Sequence, residues 1–332
     1  MHPATHVSDR FDLVEVPRSH AAPSFAEEVA AGLRASPKRL SPKFLYDRVG
    51  SALFDAITYL PEYYLTRAET EILRDWGWEI VRVLDAPLDF LELGSGSASK
   101  TRMLIEEALR VQPTLHYSPI DISTEALRVS ARALVESYHG LSVRAYAGDY
   151  FDVLASGSLE LERKTLAMFM GSNVGNYQPA EALELLSLLA GALRPGDGLL
   201  LGVDLKKDRT TLELAYDDPA GVTAAFDRNV LARINRELGG DFDVRSFEHV
   251  VRYDEERGCI DSFLESGKAC SVALAEIGVY LEFARGERIH VESSYKFSDH
   301  DVAVLGSKAG FALARTWHDH AHRFSVHLLV RR

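Results

Sequence analysis

Short apolar runs alternate with stretches of helical periodicity between about Leu88 and Val203. The strand-like runs are Asp89–Leu93, Leu115–Ile120, Ser142–Ala147, Thr165–Met170 and Gly198–Val203. The helical stretches between them are Thr101–Arg110, Thr124–Tyr138 and Pro179–Leu193. Alternation of this kind is typical of βα units that feed a parallel sheet. The pattern therefore predicts an α/β fold built on a doubly wound sheet.

The pattern changes after Asp204. A helical run, Ala220–Leu238, stops at two glycines, and five stretches of alternating apolar and polar residues follow between Phe247 and Phe297. The chain then ends on a predicted helix and two predicted strands, which are Ser298–Lys308, Phe311–Trp317 and Phe324–Val330. We expect the block between Asp204 and Phe297 to be an α+β insertion between strands of the main sheet.

The chain has 332 residues, more than one hydrophobic core usually holds, which favours two lobes. The predicted organisation is a flexible leader over residues 1–22, a substrate-binding lobe from residues 23–69 and 205–296, and a cofactor-binding domain from residues 70–204 and 297–332. We expect the active site to lie in a cleft between the lobes.

The composition is acidic, with a formal net charge of −12 and a pI near 5.5. Phosphate backbones and anionic lipids bind through excess lysine and arginine, so the charge disfavours nucleic acid and membrane partners. Only Cys259 and Cys270 are present, too few for a disulfide framework. No apolar segment is long enough for a signal peptide or a membrane span. We expect a monomeric cytoplasmic protein that acts on a small molecule.

Two glycines, Gly94 and Gly96, follow the first predicted strand and precede a helix, where a backbone free of side chains can approach a ligand. Acidic residues follow the next two strands, namely Asp121 and Asp149. The first can bind ribose hydroxyls and the second an adenine amino group. A nicotinamide site would need a third glycine where this chain has Ser99. With Glu92 ahead of the turn, the pattern favours S-adenosylmethionine over NAD.

Several longer motifs are more specific than the glycine turn. They are Leu45-Tyr46-Asp47, Leu60-Pro61-Glu62-Tyr63-Tyr64, Gly171-Ser172-Asn173-Val174-Gly175-Asn176, Ala215-Tyr216-Asp217-Asp218 and Glu292-Ser293-Ser294-Tyr295-Lys296-Phe297. In these motifs the chain, from Phe25 to its C-terminus, resembles the L-histidine Nα-methyltransferases of ergothioneine biosynthesis, which make the trimethylated betaine hercynine. The resemblance implies a class I, Rossmann-like methyltransferase sheet and S-adenosylmethionine as cofactor.

The resemblance also implies a set of site residues. The cofactor contacts would be Gly94, Lys100, Asp121, Asp149 and Tyr150. The substrate contacts would be Tyr63, Asn176 and Tyr216 around the amino-acid carboxylate and amine, and Glu292 and Ser294 around the imidazole. Tyr46, Tyr63 and Asn176 would be the catalytic residues, because they would orient the amine for an in-line displacement while water carries its proton away.

Two positions depart from the family pattern. Ile260-Asp261-Ser262 stands where the family often has Ile-Glu-Met, which changes the volume and polarity of the side-chain pocket. Ala98-Ser99 precedes Lys100 where Ser-Glu is usual. An α-N-methyltransferase for another, for example aromatic, amino acid is therefore the main alternative, and a non-catalytic binding subunit or an NAD-dependent oxidoreductase is less favoured.

Three histidines near the C-terminus could suggest a metal site, because His318, His320 and His322 would share one face of a strand. They fall where the terminal hairpin should turn, away from the strand ends that carry the other candidate residues. We expect no metal.

Overall fold

The computed structural model describes residues 9–17, 23–96 and 98–332. Its strands, in chain order, are β1 (Phe11–Glu15), β2 (Lys38–Arg39), β3 (Leu88–Leu93), β4 (Leu115–Asp121), β5 (Leu141–Ala147), β6 (Lys164–Phe169), β7 (Gly198–Asp204), β8 (Phe247–Asp254), β9 (Cys259–Ser266), β10 (Cys270–Leu274), β11 (Val279–Phe283), β12 (Arg288–Tyr295), β13 (Phe311–His318) and β14 (Phe324–Arg331).

The helices, in chain order, are α1 (Phe25–Arg34), α2 (Arg48–Thr58), α3 (Leu65–Ile80), α4 (Ser99–Val111), α5 (Thr124–Ser137), α6 (Tyr150–Ala155), α7 (Pro179–Ala192), α8 (Arg209–Tyr216), α9 (Val222–Leu238) and α10 (Asp299–Lys308). None of the described helices is both long enough and apolar enough to cross a membrane. The chain divides into two compact units, one of residues 1–20, 67–205 and 297–332 and the other of residues 21–66 and 206–296.

The first unit is built on an eight-stranded sheet with the order β1-β5-β4-β3-β6-β7-β14-β13. Strands β1, β5, β4, β3, β6 and β7 are parallel to one another. The hairpin of β13 and β14 joins this sheet through antiparallel pairing of β14 with β7. The chain order reverses at β3, whose two neighbours are β4 and β6. In open α/β sheets, ligands bind at such a reversal, beyond the carboxyl ends of the strands.

Burial explains why these strands form the core of the unit. Every residue of β3 and of β7 is buried, as expected for central strands that are covered on both faces. Leucines of α7 pack into the same core as Phe169 of β6, Leu199 and Leu201 of β7. Apolar burial contributes about 25 cal/mol per Å², so this layer is a main source of the unit's stability.

The prediction of a flexible leader over residues 1–22 is wrong for Phe11–Glu15, which form strand β1. Phe11–Glu15 pairs in parallel with β5, and Phe11 and Leu13 are buried. The side chain of Arg10 donates to the carbonyl oxygens of Val135 and Tyr138, which fixes the start of the strand. The rest of the predicted leader, residues 1–8 and 18–22, lies outside the described residues.

The second unit contains a four-stranded sheet with the order β2-β12-β9-β8 and a two-stranded ladder of β10 and β11. Strand β9 pairs in antiparallel orientation with β12 on one side and with β8 on the other. The pairing of β12 with β9 changes register between His290 and Glu292, so that His290 lies opposite Phe263 and Glu292 lies opposite Ser262. This irregularity has the form of a β-bulge around Val291.

Candidate active site

The glycine turn after β3 leaves room for close backbone approach. Gly94 has a φ of +76°, and a Cβ there would lie 2.4 Å from the Tyr150 hydroxyl oxygen. Gly96 has a φ of +48°, and a Cβ there would meet no atom of the described residues within 4 Å, its chain neighbours aside. Both backbone conformations favour glycine. The turn therefore brings Gly94 against Tyr150 and leaves open space beside Gly96.

Asp121 ends β4 beside this turn. Its carboxylate accepts hydrogen bonds from the backbone N–H groups of Ser123 at 2.9 Å and of Gly96 at 3.3 Å. Burial raises the pKa of Asp121, while these N–H donors oppose the rise. A carboxylate has about four acceptor positions, so it can hold the loop and still accept from two ribose hydroxyls.

Asp149 follows β5 at the same edge of the sheet. Its carboxylate accepts from the backbone N–H of Phe151 at 2.9 Å and so caps α6. The ring of Tyr150 packs edge-on against Phe169, with 5.9 Å between ring centroids. A carboxylate and an aromatic ring in this position match the acceptor and apolar surface that an adenine needs. Together with Gly94 and Asp121, this donor and acceptor set fits S-adenosylmethionine.

Glu92 and Lys100 are held by partners within the first unit. The Glu92 carboxylate accepts from the Thr101 hydroxyl at 2.7 Å and from the Tyr117 hydroxyl, so it ties β3 to α4 and β4. Lys100 pairs with Glu69, a fully buried residue of α3 that also accepts from the backbone N–H of Gly171 at 2.9 Å. Sequence reasoning missed this role of Glu69. The cofactor contact of Lys100 stays a prediction.

We predict a pH dependence of stability from Glu92. Burial raises its pKa from 4.5 to about 7, so the folded chain holds this proton more tightly than the unfolded chain does. The contribution is complete below the unfolded pKa and is lost as the pH rises through the folded pKa. We expect the free energy of unfolding to fall between about pH 4.5 and 7, and Glu92→Gln to flatten this slope in urea titrations. Equal slopes in Glu92→Gln and in the exposed control Glu125→Gln would contradict it.

Asn176 lies in the first unit, with the cofactor candidates. It ends the 3-10 turn Asn173–Asn176 that follows β6, and its side chain is half-buried. The Ser172 hydroxyl before this turn accepts from the backbone N–H of Asp204 at 3.0 Å. Because β3 and β6 are parallel neighbours, both strands end at the same edge of the sheet. Gly94 follows β3 and Asn176 lies in the turn after β6, so both residues lie at that edge.

The other predicted substrate residues lie together in the second unit. Tyr46 packs edge-on against Phe54 and Phe226, with ring centroids 5.4 and 5.3 Å apart. Tyr63 packs against Phe54 at 6.1 Å and against Tyr216 at 6.3 Å. Burial raises the pKa of Tyr46, as does the nearby Glu292. These aromatic rings form an apolar wall with hydroxyl groups on it.

A polar cluster adjoins this wall. The hydroxyl oxygens of Tyr216 and Ser294 are 2.8 Å apart, and the Lys296 ammonium donates to both, at 2.8 and 2.9 Å. All three residues are buried. Sequence reasoning missed Lys296, although a signal was present, because Glu292, Ser294 and Lys296 alternate and so share one side of the chain.

Glu292 is a buried carboxyl group close to two other charges. Its pKa is raised to about 8, chiefly by burial and also by the Asp227 carboxylate, whereas Lys296 opposes the rise. Asp227 is fully buried on α9, and its carboxylate is 2.9 Å from the Nε2 atom of His249 on β8. Asp227 and His249 had no signal in the sequence, since titratable side chains usually face water unless they are paired.

Ser262 lies directly across from Glu292 in the β9–β12 ladder. Its side chain is 1% exposed, and its hydroxyl oxygen has no hydrogen-bond partner among the described residues. A buried hydroxyl without a partner costs about 1–3 kcal/mol, so a ligand group that bonds to it would remove this cost.

Two of the three C-terminal histidines, His318 and His320, have carboxylate partners. His318 pairs with Asp299 at 3.1 Å and packs against His322, and His320 pairs with Glu71 at 2.8 Å. Glu71, Asp75 and His320 could together reach one metal ion, but His320 is largely exposed. Exposed acidic groups are common without a metal, so this group carries no assignment, and the absence of a metal stays a prediction.

A parallel sheet with a glycine turn after β3, acidic residues at the ends of the next two strands and a terminal antiparallel hairpin defines a class I S-adenosylmethionine-dependent methyltransferase. More narrowly, the chain belongs to the family of histidine-specific, S-adenosylmethionine-dependent methyltransferases, whose sequence model matches residues 25–331. This membership confirms the resemblance seen in the sequence motifs, the fold class and the choice of S-adenosylmethionine as cofactor.

Individual relatives agree with the family. The chain is 43% identical to the histidine N-alpha-methyltransferase of Mycolicibacterium smegmatis over 94% of this chain and 96% of that protein. It is also 43% identical to the protein of the same name from Mycobacterium tuberculosis, over 92% of this chain and 94% of that protein. A more distant relative is the L-tryptophan methyltransferase of Psilocybe serbica, 26% identical over 92% of each chain.

Proposed function

We propose that this enzyme transfers methyl groups from S-adenosylmethionine to the α-amine of L-histidine, giving the trimethylated product hercynine. The observation that carries this proposal is that Glu292 is buried in the second unit together with Ser294 and Tyr216 of the polar cluster. Its support from relatives is the 43% identity to two histidine N-alpha-methyltransferases. An apolar substrate side chain would offer these residues no further hydrogen bond, whereas a polar ring can bond to them.

The cluster suits the two nitrogens of a neutral imidazole. One ring nitrogen carries a hydrogen and the other a lone pair. Glu292 accepts from the ring N–H, and the Ser294 hydroxyl donates to the other nitrogen. Both side chains are more than nine-tenths buried, so water competes weakly for these bonds. The site then distinguishes histidine from amino acids that lack either ring group.

The amino-acid end of the substrate is assigned to Tyr63, Tyr216 and Asn176, with Tyr46 near the amine. These are neutral hydrogen-bonding groups, which can bind a carboxylate and orient an amine lone pair without adding charge. S-adenosylmethionine, when bound, supplies the electrophilic methyl group. The chain's contribution is to hold the amine lone pair in line with that group and to let water take the amine's proton before each transfer.

The cofactor residues are proposed to be Gly94, Lys100, Asp121, Asp149 and Tyr150. Asp121 supports this role by its position beside the open backbone at Gly96, where it can accept from ribose hydroxyls. Asp149 and Tyr150 supply an acceptor and an aromatic surface for the adenine. Lys100 is a cation that can face the carboxylate of the methionine part while it remains paired with Glu69.

A second candidate substrate is the α-amine of an aromatic amino acid. The observation that favours it is the small Ser262 opposite Glu292, which leaves more volume than a methionine would. One relative at 26% identity is an L-tryptophan methyltransferase. The pair of Glu292 and Ser294 argues against it, because they suit a ring with both an N–H and a lone pair, which the rings of tryptophan and phenylalanine do not have.

The deciding experiment incubates the pure protein with S-adenosylmethionine and a panel of amino acids, and reads product masses. We expect histidine to gain three methyl groups, and tryptophan, tyrosine and phenylalanine to react slowly or not at all. Methylation of an aromatic amino acid without methylation of histidine would favour the second candidate. No methylation of any amino acid would contradict both.

We expect Ser262→Met to change kcat/KM for histidine by less than roughly fivefold, about 1 kcal/mol, if the pocket already fits an imidazole. The reason is that the longer side chain fills volume beside the ring, whereas Glu292 and Ser294 still bind its nitrogens. Steady-state kinetics on histidine and tryptophan measure the effect. A large loss for histidine together with a gain for tryptophan would indicate that Ser262 makes a direct bond to the imidazole or sets the pocket shape.

We further propose that the enzyme works as a monomer in the reducing cytoplasm, without nucleic acid or membrane partners. Both cysteines are free, and Cys259 is buried, which suits a compartment where thiols stay reduced. The net charge of −12 supports the absence of polyanionic partners. Light scattering of the pure protein tests the monomer.

A further inference from the structure

Lys296 is a buried cation inside the proposed substrate cluster. Lys296 is 3% exposed, and its ammonium nitrogen lies 4.4 Å from the centre of the Tyr216 ring. It donates to the hydroxyl oxygens of Tyr216 and Ser294 at 2.8 and 2.9 Å. Burial of an ammonium is costly unless it is paired and hydrogen-bonded, so such a residue usually has a specific role.

The three groups form a triangle in which hydrogens can be counted. The ammonium has hydrogens and no lone pair, so both hydroxyl oxygens must accept from it. The third contact is a hydrogen bond between the two hydroxyl groups, whose oxygens are 2.8 Å apart, and one of the two hydroxyls donates its hydrogen to the other. The hydrogen of the other hydroxyl then points out of the triangle. When Tyr216 donates to Ser294, the outward hydrogen is that of Ser294.

We infer that Lys296 is a specificity-determining positioning residue, which fixes the Tyr216–Ser294 pair as a hydrogen-bond donor and so selects a substrate ring with an unprotonated nitrogen. This inference rests on the proposed function. Without the ammonium, either hydroxyl can turn its lone pair toward the substrate, and the cluster no longer distinguishes a ring nitrogen with a lone pair from a ring N–H or C–H.

The charges around Lys296 agree with this role. Asp227 of α9 brings negative charge close to Glu292 of β12, and His249 of β8 pairs with Asp227. Lys296 opposes the rise in the pKa of Glu292 and so favours its carboxylate form. The same side of β12 then offers an acceptor, Glu292, and a donor, Ser294. A neutral imidazole carries the complementary pair.

The test compares three amino acids that differ only in the ring. Histidine has a ring N–H and a lone pair, 3-(thiazol-4-yl)alanine keeps the lone pair on the nitrogen next to the attachment carbon but lacks the N–H, and 3-(pyrrol-3-yl)alanine keeps the N–H on the distal nitrogen but has a C–H in place of the lone pair. Values of kcat/KM are measured for the wild type, Lys296→Met and Lys296→Arg. We expect the wild type to prefer histidine over the pyrrole by roughly tenfold or more, the usual effect of one buried hydrogen bond.

In Lys296→Met, this preference should shrink to within roughly threefold. The preference of histidine over the thiazole should shrink less, because the Glu292 carbonyl oxygen can still accept from the ring N–H. Lys296→Arg keeps the cation and should restore most of the histidine-to-pyrrole preference. A uniform loss of kcat/KM for all three substrates, or an unchanged histidine-to-pyrrole ratio in Lys296→Met, would overturn the inference, because a merely structural lysine predicts those results.

A second variant keeps the test decisive if Lys296→Met does not fold. Ser294→Ala removes the outward hydroxyl without removing a buried charge, and it should also shrink the histidine-to-pyrrole ratio. A ratio unchanged by Ser294→Ala would overturn the inference. Wild-type protein that does not methylate histidine would instead contradict the proposed function, so the two failures are distinct.

Discussion

Asp121→Ala should weaken the binding of S-adenosylmethionine by roughly one to two orders of magnitude while it leaves the amino-acid affinity nearly unchanged. The substitution removes a charged acceptor from the ribose hydroxyls, and hydrogen bonds to charged groups contribute about 1.5–3 kcal/mol. It also releases the Gly96 and Ser123 N–H groups that the carboxylate now holds, which loosens the glycine turn. Calorimetric titration with S-adenosylhomocysteine and with histidine measures the two affinities separately.

The matched control is Glu125→Ala, which removes an exposed carboxylate at the start of α5, four residues from Asp121 in the chain. This variant should bind the cofactor as the wild type does. Asp121→Asn keeps one oxygen acceptor and should fall between the wild type and the alanine variant. Tight NAD binding by the wild type, with none for S-adenosylmethionine, would contradict the cofactor assignment as a whole.

Glu292→Ala should lower kcat/KM for histidine by roughly tenfold to a hundredfold. If Glu292 accepts from the imidazole N–H, the variant leaves a buried substrate donor without a partner, at a cost of about 1–3 kcal/mol. The loss should be much smaller for amino acids without a ring N–H, because they never made this bond. Steady-state kinetics on histidine and on 3-(thiazol-4-yl)alanine distinguish the two cases.

Removal of an exposed carboxylate from the same unit provides the comparison for this second prediction. Glu256 lies in the turn between β8 and β9, and Glu256→Ala should leave kcat/KM for both substrates unchanged. A histidine kcat/KM that does not change in Glu292→Ala would show that the imidazole is bound elsewhere, although the methyltransferase activity itself would stand.

Much of the fold could be predicted because the local pattern determines it. The strand predicted over Thr165–Met170 is Lys164–Phe169, and the helix predicted over Ala220–Leu238 is Val222–Leu238. The helices α6 and α8 were missed, since they have only 6 and 8 residues and offer too few turns for a periodic signal. The edge strand β1 was missed because its partner, β5, is far away in the chain.

The candidate site divides in the same way. Gly94, Asp121 and Asp149 could be predicted, because residues that directly follow parallel strands meet at one edge of the sheet. Asp227 could not, since a charged side chain usually faces solvent and nothing local marks it as buried, and Lys296 was marked only by its alternation with Glu292 and Ser294. Their burial depends on partners from other elements, such as Tyr216 of α8 and His249 of β8.

The change of register at Val291 separates two polar networks on one small sheet. His290 bonds to Ser293 and Asp261 on the face that carries Phe263, whereas Glu292, two residues on, lies opposite Ser262 on the other face. A regular strand would have put His290 and Glu292 on the same face. The bulge thereby keeps the Glu292 carboxyl group apart from His290, so a substitution beside Glu292 need not disturb the hydrogen bonds of His290, Ser293 and Asp261.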